Sequence, residues 1–235
     1  MNPAPDIPIV TIDGPSGAGK GTVAQRLADR LGWGFMDSGV FYRALALVAL
    51  DRHLDLDDED ALGARAGHLD VQFVKQADAY QVQVEGKRVG VELRTERCGL
   101  VASRVAAMPK VREALLACQR SFRQAPGLVA DGRDMGTVVF PDARCKVFLT
   151  ASPEERARRR YQQLLDQGET VRLAGLLREI EARDQRDRNR RASPLVPAAD
   201  ATIIDSTGQG IEAAFGAVLA IVSRRYPELV QEHAE

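Results

Sequence analysis

The chain has 235 residues, of which 45% are hydrophobic and 28% are charged, and its formal net charge is −1. This composition is typical of one soluble globular domain, with or without insertions, and it excludes a global basic field for nucleic acid. The first ten residues lack the basic and apolar regions of a signal peptide, and the longest apolar run, at 44–50, is too short for a membrane span. We therefore expect a cytoplasmic protein with no membrane or nucleic-acid partner.

The cysteines and histidines predict neither disulfides nor a zinc site. The three cysteines, at 98, 118 and 145, are far apart and contain no C-x-x-C pair, which favours reduced thiols. The three histidines have no spacing that would suit a metal ion.

The first predicted element is a buried strand over PIVTID at 8–13, a short β-branched run flanked by proline and glycine. A glycine-rich loop follows at 14–20, and the segment 21–32 then reads as a helix. The apolar positions of this helix are four residues apart, at Val23, Leu27 and Leu31, and Gly32 ends it.

Four further segments resemble buried strands. Apolar runs occur at 128–131, 146–151 and 201–205, and GFMD at 34–37 is a weaker candidate. Because helical stretches separate these strands, we expect a parallel α/β sheet with right-handed crossovers.

The middle of the chain has a different pattern. LDVQFV at 69–74 is followed at 80–93 by strict alternation of apolar and polar residues, with a turn candidate at 85–87. Such alternation is typical of antiparallel strands, and we predict a small β insert over about 65–95. Further helices are predicted near 95–106 and 109–124, and two arginine-rich helices at 153–168 and 176–191.

The segment GPSGAGKGT at 14–22 nearly matches the phosphate-binding pattern G-x-x-x-x-G-K-[ST], but Gly21 stands where a hydroxyl is expected and Thr22 comes one residue late. Backbone N–H groups of such a loop bind phosphate oxygens, the next helix adds its positive end, and the lysine reaches the β- and γ-phosphates. The alternative is a tight glycine turn with an unrelated lysine, but the order strand, loop, helix favours a nucleotide site. The predicted ATP-binding residues of the loop are Gly14, Pro15, Ser16, Gly17, Ala18, Gly19, Lys20, Gly21 and Thr22.

Several groups are candidate ligands for a metal ion beside the phosphates. Gly21 offers no hydroxyl to Mg²⁺, so Thr22 or water would take that place. Asp131, at the end of a predicted strand, and Asp13, directly before the loop, are candidate carboxylate ligands. An aspartate after a strand is equally typical of a helix cap or a turn.

The loop ending GKGT resembles that of the nucleoside monophosphate kinases. Four further blocks are similar to the bacterial cytidylate kinases: MDSGVFYR (36–43), VASRVAAMPKVREALL (101–116), DGRDMGTVVFP (131–141) and RDQRDRNR (183–190). The resemblance covers nearly the whole chain. It implies a P-loop NTPase-type α/β fold in which helices flank a parallel five-stranded sheet, with a small antiparallel β insert and a helical lid. The implied divisions are a core (about 1–37, 126–152 and 192–235), a CMP-binding region with the β insert (about 38–125) and a lid (about 153–191).

The resemblance also implies an activity, the transfer of the γ-phosphoryl group of ATP to CMP or dCMP, with Mg²⁺ as cofactor and a monomeric enzyme. The second pKa of a phosphomonoester is about 6, so the acceptor is largely dianionic at pH 7 and needs no dedicated base. It needs cationic groups that bring two anions together in a dry site. The implied catalytic residues are Lys20, Arg133, Arg190 and Asp131.

The resemblance divides the CMP site into three parts. The implied phosphate ligands are Arg43, Arg133 and Arg190 with Tyr42 beside them, the sugar ligands are Arg183 and Asp187, and the base-reading residues are Asp134, Arg112 and Ser103. A carboxylate accepts from the amino group of cytosine but would face a carbonyl in uracil. Ser38 caps the following helix, contacts the base, or does both. Tyr42 is equally suited to a role as a core aromatic residue. Arg183 and Asp187 are at positions i and i+4 of a predicted helix, so an intrahelical salt bridge is the alternative for this pair.

An arginine cluster opens the first of the two arginine-rich helices. It contains Arg156, Arg158, Arg159 and Arg160, and we interpret it as a lid over ATP whose closure would exclude water. Arg156 and Arg159 are the predicted ATP contacts, whereas Arg158 points elsewhere. A solvated charged helix is the alternative for this cluster.

Two other functions compete with this interpretation. One is a kinase of the same loop class that acts on another monophosphate or on a small metabolite. The other is a GTPase-type switch or a nucleic-acid module. The only asparagines, Asn2 and Asn189, do not precede lysine, so no guanine-reading N-K-x-D motif exists. Acidic residues interleave the arginine-rich helices, which suits local ion pairs better than a phosphate backbone.

Overall fold

A computed structural model of the chain describes residues 7–76, 79–190 and 192–227. Its centre is a five-stranded parallel sheet with the strand order β2-β6-β1-β7-β8, which confirms the predicted architecture. The strands are β1 (Ile9–Asp13), β2 (Gly34–Asp37), β6 (Leu128–Gly132), β7 (Cys145–Thr150) and β8 (Thr202–Asp205). Every residue of β1 is buried, as its continuous apolar sequence predicts for a strand covered on both faces.

Helices cover both faces of this sheet. Alternate residues of β1 point to opposite faces, so Ile9 joins one apolar cluster while Val10 and Ile12 join the other. The first cluster lies against α2 (Ser38–Asp51), α3 (Glu59–Gly67) and α6 (Pro109–Ser121), and the second against α1 (Lys20–Leu31) and α9 (Ile211–Arg225). The sheet is thereby fixed as a rigid frame for the loops at its carboxyl edge.

The middle of the chain forms the predicted antiparallel insert. Its strands are β3 (Val71–Gln76), β4 (Ala79–Val84) and β5 (Lys87–Val89), paired in chain order. The alternation continues in the sequence to Leu93, but the insert ends at Val89 and a short helix, α4 (Val91–Arg94), follows. Leu93 is buried there while Val91 is 80% exposed, so the apolar pattern of this stretch does not report a strand face.

The remaining helices lie close to the predicted bounds. They are α5 (Glu96–Val105), α7 (Pro153–Asp166) and α8 (Leu173–Arg188), the last of which begins three residues before the predicted 176. Helices α7 and α8 pack against each other through a small cluster of their own that includes Ala157, Leu164 and Leu176. A π-helical turn, Met135–Val139, follows β6 and was not predicted.

In the described part of the chain, none of the helices combines the length and the apolar character that a bilayer-spanning segment would need.

Candidate active site

The glycine loop joins β1 to α1 at the carboxyl edge of the central sheet. Its tight path depends on left-handed backbone at Gly17, with φ of +81°, and on close packing at Gly14, where a Cβ would lie 2.0 Å from the carbonyl oxygen of Leu149. Neither position would accept a side chain without a shift of the backbone. The loop ends at Lys20, the first residue of α1, so its backbone faces the positive end of that helix.

Lys20 is buried within the loop. Its ammonium donates to the carbonyl of Pro15 at 3.0 Å and lies 3.7 Å from Oδ1 of Asp131, the last but one residue of strand β6. Burial lowers the pKa of Lys20. The lysine, the loop and Asp131 therefore form one compact polar group, as the predicted site requires.

Gly21 stands directly beside Asp131. A Cβ at this position would lie 3.3 Å from Oδ2 of Asp131, so a serine or threonine would crowd the carboxylate. The departure from the usual loop pattern therefore leaves room for this carboxylate. Burial raises the pKa of Asp131 to about 7.

These residues fit a magnesium ion with respect to donor chemistry. A carboxylate beside the phosphate loop is the oxygen ligand that Mg²⁺ prefers, and this ion ordinarily keeps several waters and phosphate oxygens as further ligands. Thr22 is exposed on the first turn of α1. The part of the chain that the structure describes contains no group of three or more His, Cys, Asp or Glu side chains that could hold a metal ion.

Asp13, the other candidate metal ligand, has a structural partner instead. Its two carboxylate oxygens accept from the backbone N–H groups of Met135 and Gly136, each at 2.8 Å. Asp13 is 4% exposed, and burial raises its pKa to about 6 although both hydrogen bonds favour the charged form. It therefore fixes the segment that follows Arg133 and Asp134 to the start of the phosphate loop.

A cavity of about 50 Å³ opens between α2, α5, α6, α8 and the end of β6. All ten residues predicted to bind CMP line it, although they come from four distant parts of the sequence. They are Ser38, Tyr42, Arg43, Ser103, Arg112, Arg133, Asp134, Arg183, Asp187 and Arg190.

This cavity has a strong excess of positive charge. Five arginines and two aspartates line it. Arg133, together with burial, lowers the pKa of Arg183 to about 9, and burial lowers the pKa of both Arg43 and Arg190. Within the described residues, Nε of Arg183 and both Nε and Nη2 of Arg190 are buried without a hydrogen-bond partner. Such groups are costly to bury unless an anion binds them, so the cavity is chemically suited to a phosphate.

Two ion pairs organise the cavity. Arg112 donates to Oδ2 of Asp134, and the guanidinium of Arg112 also lies 5.7 Å from the ring centre of Tyr42. Arg133 donates through Nε to Oδ2 of Asp187 at 2.5 Å. One pair thus joins the two predicted base-reading residues, and the other joins a predicted phosphate ligand to a predicted sugar ligand.

The structure decides two alternatives that the sequence left open. The cap of α2 is Asp37, whose carboxylate accepts from the N–H of Gly39 at 2.8 Å, so Ser38 does not cap that helix. Among the described residues, Asp187 forms its ion pair with Arg133 across the cavity and none with Arg183 on its own helix. The salt bridge between Arg183 and Asp187 is therefore absent from the described structure.

The arginines of α7 differ in their surroundings. Arg159 donates to the carbonyls of Ser206 and Gln209, at 2.6 and 3.1 Å, and it lies beside the carbonyl of Ala18 in the phosphate loop. Arg158 and Arg160 are exposed, and each donates to a side chain on its own helix.

Arg156 is 1% exposed, and its guanidinium donates four hydrogen bonds to protein oxygens, including a bidentate pair with Asp184. It reaches the phosphate loop through the carbonyl of Ser16. These four bonds leave one of the five N–H groups of Arg156 free for a ligand. A direct contact of Arg156 with ATP stays a prediction.

Three aspartates, of which Asp13 and Asp184 are buried and Asp37 is partly buried, were not given these roles from the sequence. Asp13 was considered only as a metal ligand, and Asp37 and Asp184 were not singled out. Asp37 precedes the serine of the MDSG block and contributes to the electrostatic environment of Lys20 and Asp131. The signal for Asp37 was present, since an aspartate before a helix is a common cap. No local pattern points to the partners of Asp13 and Asp184, which are remote in sequence.

Comparison with known proteins agrees with this geometry. The family model described as cytidylate kinase matches residues 10–224. A cytidylate kinase of Shewanella frigidimarina is 57% identical over 220 residues, which covers 93% of this chain and 96% of the relative. The cytidylate kinase of Pectobacterium carotovorum is 57% identical over 91% of this chain and 95% of the relative. That of Shewanella sediminis is 54% identical over 94% of this chain and 97% of the relative. The chain belongs to the cytidylate kinase family.

Proposed function

We propose that this protein transfers the γ-phosphoryl group of ATP to the phosphate of CMP or dCMP, and that the two sites described above hold the donor and the acceptor. The observation that carries the proposal is the arginine-lined cavity with its buried unpaired N–H groups. Burial lowers the pKa of Lys20, and Arg133, which lines this cavity, is close enough to the phosphate loop to lower it further. Family membership makes the protein an ATP-dependent CMP kinase. The roles of individual residues, and the use of dCMP, are our proposal.

On the donor side, the backbone of residues 14–22 would bind the phosphates of ATP. Lys20 would exchange its contact with the Pro15 carbonyl for the β- and γ-phosphates. Arg159 would act beside the loop, where it already joins the segment after β8 to the carbonyl of Ala18.

Asp131 would hold Mg²⁺, with phosphate oxygens and water as the other ligands, and Thr22 is a second candidate ligand. The ion would neutralise part of the charge that the phosphates carry. Asp13 is not part of this proposal because both of its oxygens accept from backbone N–H groups.

On the acceptor side, Arg43, Arg133 and Arg190 would bind the phosphate of CMP. Arginine suits this role because its planar fork binds two phosphate oxygens at once. Arg183 and Asp187 would bind the sugar hydroxyls, and the 2′-hydroxyl is the group by which CMP and dCMP differ.

The base would lie against the Arg112–Asp134 pair, with Ser103, Ser38 and Tyr42 around it. Asp134 would accept from the amino group of cytosine, while Arg112 would donate to its ring nitrogen or carbonyl. Uracil offers a carbonyl where cytosine offers the amino group. A buried carboxylate would then face an acceptor, which is costly.

In the reaction, an oxygen of the CMP phosphate forms a bond to the γ-phosphorus of ATP, and the bond from that phosphorus to the β,γ-bridging oxygen breaks. The products are CDP and ADP, and no proton has to leave the nucleophile because the acceptor is already dianionic. Lys20, Arg133 and Arg190 would stabilise the charge that spreads over the transferred group. In this proposal the core carries the loop, the region around α2 and α5 carries CMP, and α7 and α8 cover both.

The test is an ADP-release assay with ATP and, in turn, CMP, dCMP, UMP, AMP and shikimate as acceptors. We expect CMP or dCMP to give the highest kcat/KM. A preference for AMP or shikimate would contradict the proposal.

A further inference from the structure

Arg156 is the most enclosed arginine of the described chain, and it contacts three separate parts of the structure. Its Nε donates to the carbonyl of Ala151 at 2.9 Å, where β7 leads into α7. Its Nη1 donates to the carbonyl of Ser16 in the phosphate loop at 3.1 Å. Both terminal nitrogens donate to the carboxylate of Asp184 on α8, at 3.0 and 2.6 Å.

The phosphate loop also packs against the stem of Arg156. A Cβ on Gly17 would lie 3.3 Å from Cβ of Arg156 and 3.6 Å from its Cγ. A side chain at position 17 would therefore meet the arginine. Arg156 therefore contacts the phosphate loop both through its aliphatic stem, at Gly17, and through its guanidinium, at the carbonyl of Ser16.

Asp184 places this contact next to the acceptor site. It is 3% exposed and lies on α8 directly after Arg183 and three residues before Asp187, both of which line the cavity. Asp184 is thus linked to the phosphate loop through Arg156, while Arg183 and Asp187 on the same helix line the acceptor cavity.

Stability alone does not account for such a pair. Burial of two charges has a large desolvation cost, and apolar residues of similar volume in place of a buried ion pair are often neutral or stabilising. An ion pair with several hydrogen bonds does fix the relative geometry of the elements that carry it, because an arginine fork and a carboxylate fit in one orientation.

We propose that Arg156 and Asp184 are positioning residues that hold the phosphate loop and helix α8 in the register needed for transfer between the two nucleotides. This inference rests on the proposed reaction, and it assigns the pair a function in kcat rather than in the binding of either nucleotide alone.

The experiment compares three variants with the wild type. Asp184→Asn keeps the shape of the side chain but removes its charge and one acceptor oxygen. The double variant Arg156→Met with Asp184→Leu replaces the whole pair by apolar groups. Arg178→Met removes an exposed arginine from the same helix and serves as the control. For each protein, the thermal midpoint is measured, together with kcat and the Kd values of CMP alone and of a non-hydrolysable ATP analogue alone.

We expect kcat to fall roughly tenfold or more in Asp184→Asn and in the double variant, while the two Kd values change less than about threefold. The double variant is expected to keep a thermal midpoint close to that of the wild type, so its lower kcat cannot come from unfolding. Arg178→Met is expected to match the wild type in all measurements.

Wild-type kcat in a folded double variant, or in folded Asp184→Asn, would overturn the inference. A fall in kcat that is matched by equal losses in the affinity of each nucleotide alone would also overturn it. If the double variant does not fold, the result for Asp184→Asn decides. A wild-type protein that does not phosphorylate CMP would contradict the proposed function instead, so the two failures are distinguishable.

Discussion

At the scale of single residues, the site is built from buried charges with defined partners. Asp13 shows this most clearly, since its two oxygens accept the N–H groups of Met135 and Gly136. These residues directly follow Asp134, so the carboxylate before the glycine loop sets the path of the segment that would read the base.

We predict that Asp13→Ala lowers kcat/KM for CMP about tenfold or more while the KM for ATP changes less. The physical reason is that two buried N–H groups lose their acceptor, which has a cost of roughly 1–3 kcal/mol for each group. Steady-state kinetics with each nucleotide varied in turn, beside the exposed control Asp51→Ala, make the comparison. Equal effects on both nucleotides would argue against a role directed at the acceptor site.

Asp134 allows a second test at this scale. Asp134→Asn should reduce kcat/KM for CMP by roughly ten- to 100-fold, because a hydrogen bond to a charged group is worth about 1.5–3 kcal/mol. Binding of the ATP analogue should not change, since Asp134 lines the acceptor cavity. Titration calorimetry measures the binding of the ATP analogue, and steady-state kinetics with CMP and UMP measure kcat/KM for each acceptor. Unchanged CMP kinetics would remove the base-reading role.

The residues that sequence could identify were those that belong to contiguous blocks. The loop and the ten acceptor-site candidates were found because their blocks resemble a family, and the structure brings those ten residues to one cavity. The role of Asp13 could not be predicted, because it depends on backbone donors 122 and 123 residues away. The same reason holds for Asp184 and Arg156, which are 28 residues apart.

At the scale of secondary structure, buried strands and long helices were predictable, and short irregular elements were not. Parallel strands such as β1 and β7 read as continuous apolar runs, because both faces are covered. The alternation that continues past Val89 was interpreted as strand, yet α4 follows. The four residues of that helix are too few for a helical period to show in the sequence.

Helices α7 and α8 are the elements from which we expect a response to nucleotide. The acceptor cavity has a volume of about 50 Å³, well below the roughly 300 Å³ at the small end of ligand sites. We therefore expect helix α8, which carries Arg183 and Asp187 on one side of the cavity, to move outward when CMP enters and to pack tightly once these two residues have a ligand.

This predicts that amide hydrogen exchange in 173–188 slows when CMP and the ATP analogue are bound together, and less when either is bound alone. Exchange in the central strand β1 is the internal control and should not change. Equal protection of α8 with and without ligands would contradict the expectation.

At the scale of the whole molecule, a nearly neutral chain concentrates its charge at one edge of the sheet. The formal net charge is −1, yet the acceptor cavity has an excess of three positive charges and the loop beside it contains Lys20. Opposite charges elsewhere compensate, so the composition gave no sign of this local field. The fold brings together five arginines from α2, α6, α8 and the segments after β6 and α8.

The buried carboxylates predict how stability depends on pH without nucleotide. The pKa of Asp131 is raised to about 7 in the folded protein, so the folded state binds more protons than the unfolded state between about pH 4 and 7. Its contribution to stability is therefore complete below the unfolded pKa and is lost as the pH rises through the folded one.

We expect the unfolding free energy of the wild type, relative to Asp131→Asn, to decrease from pH 5 to pH 8 by on the order of 2 kcal/mol. Urea unfolding at the two pH values measures it, with the exposed control Asp51→Asn treated alike. A difference that stays constant or grows with pH would show that burial does not raise the pKa of Asp131.

The central claim is that the loop and the arginine-lined cavity hold two nucleotides for direct transfer between them. Phosphorus NMR of the purified protein with ATP, Mg²⁺ and CMP tests it most directly, because every product is seen at once. We predict that CDP and ADP appear in equal amounts, without free phosphate, and that Arg133→Met slows their formation at least about 100-fold. ADP and inorganic phosphate without CDP, or an undiminished rate in Arg133→Met, would contradict the claim.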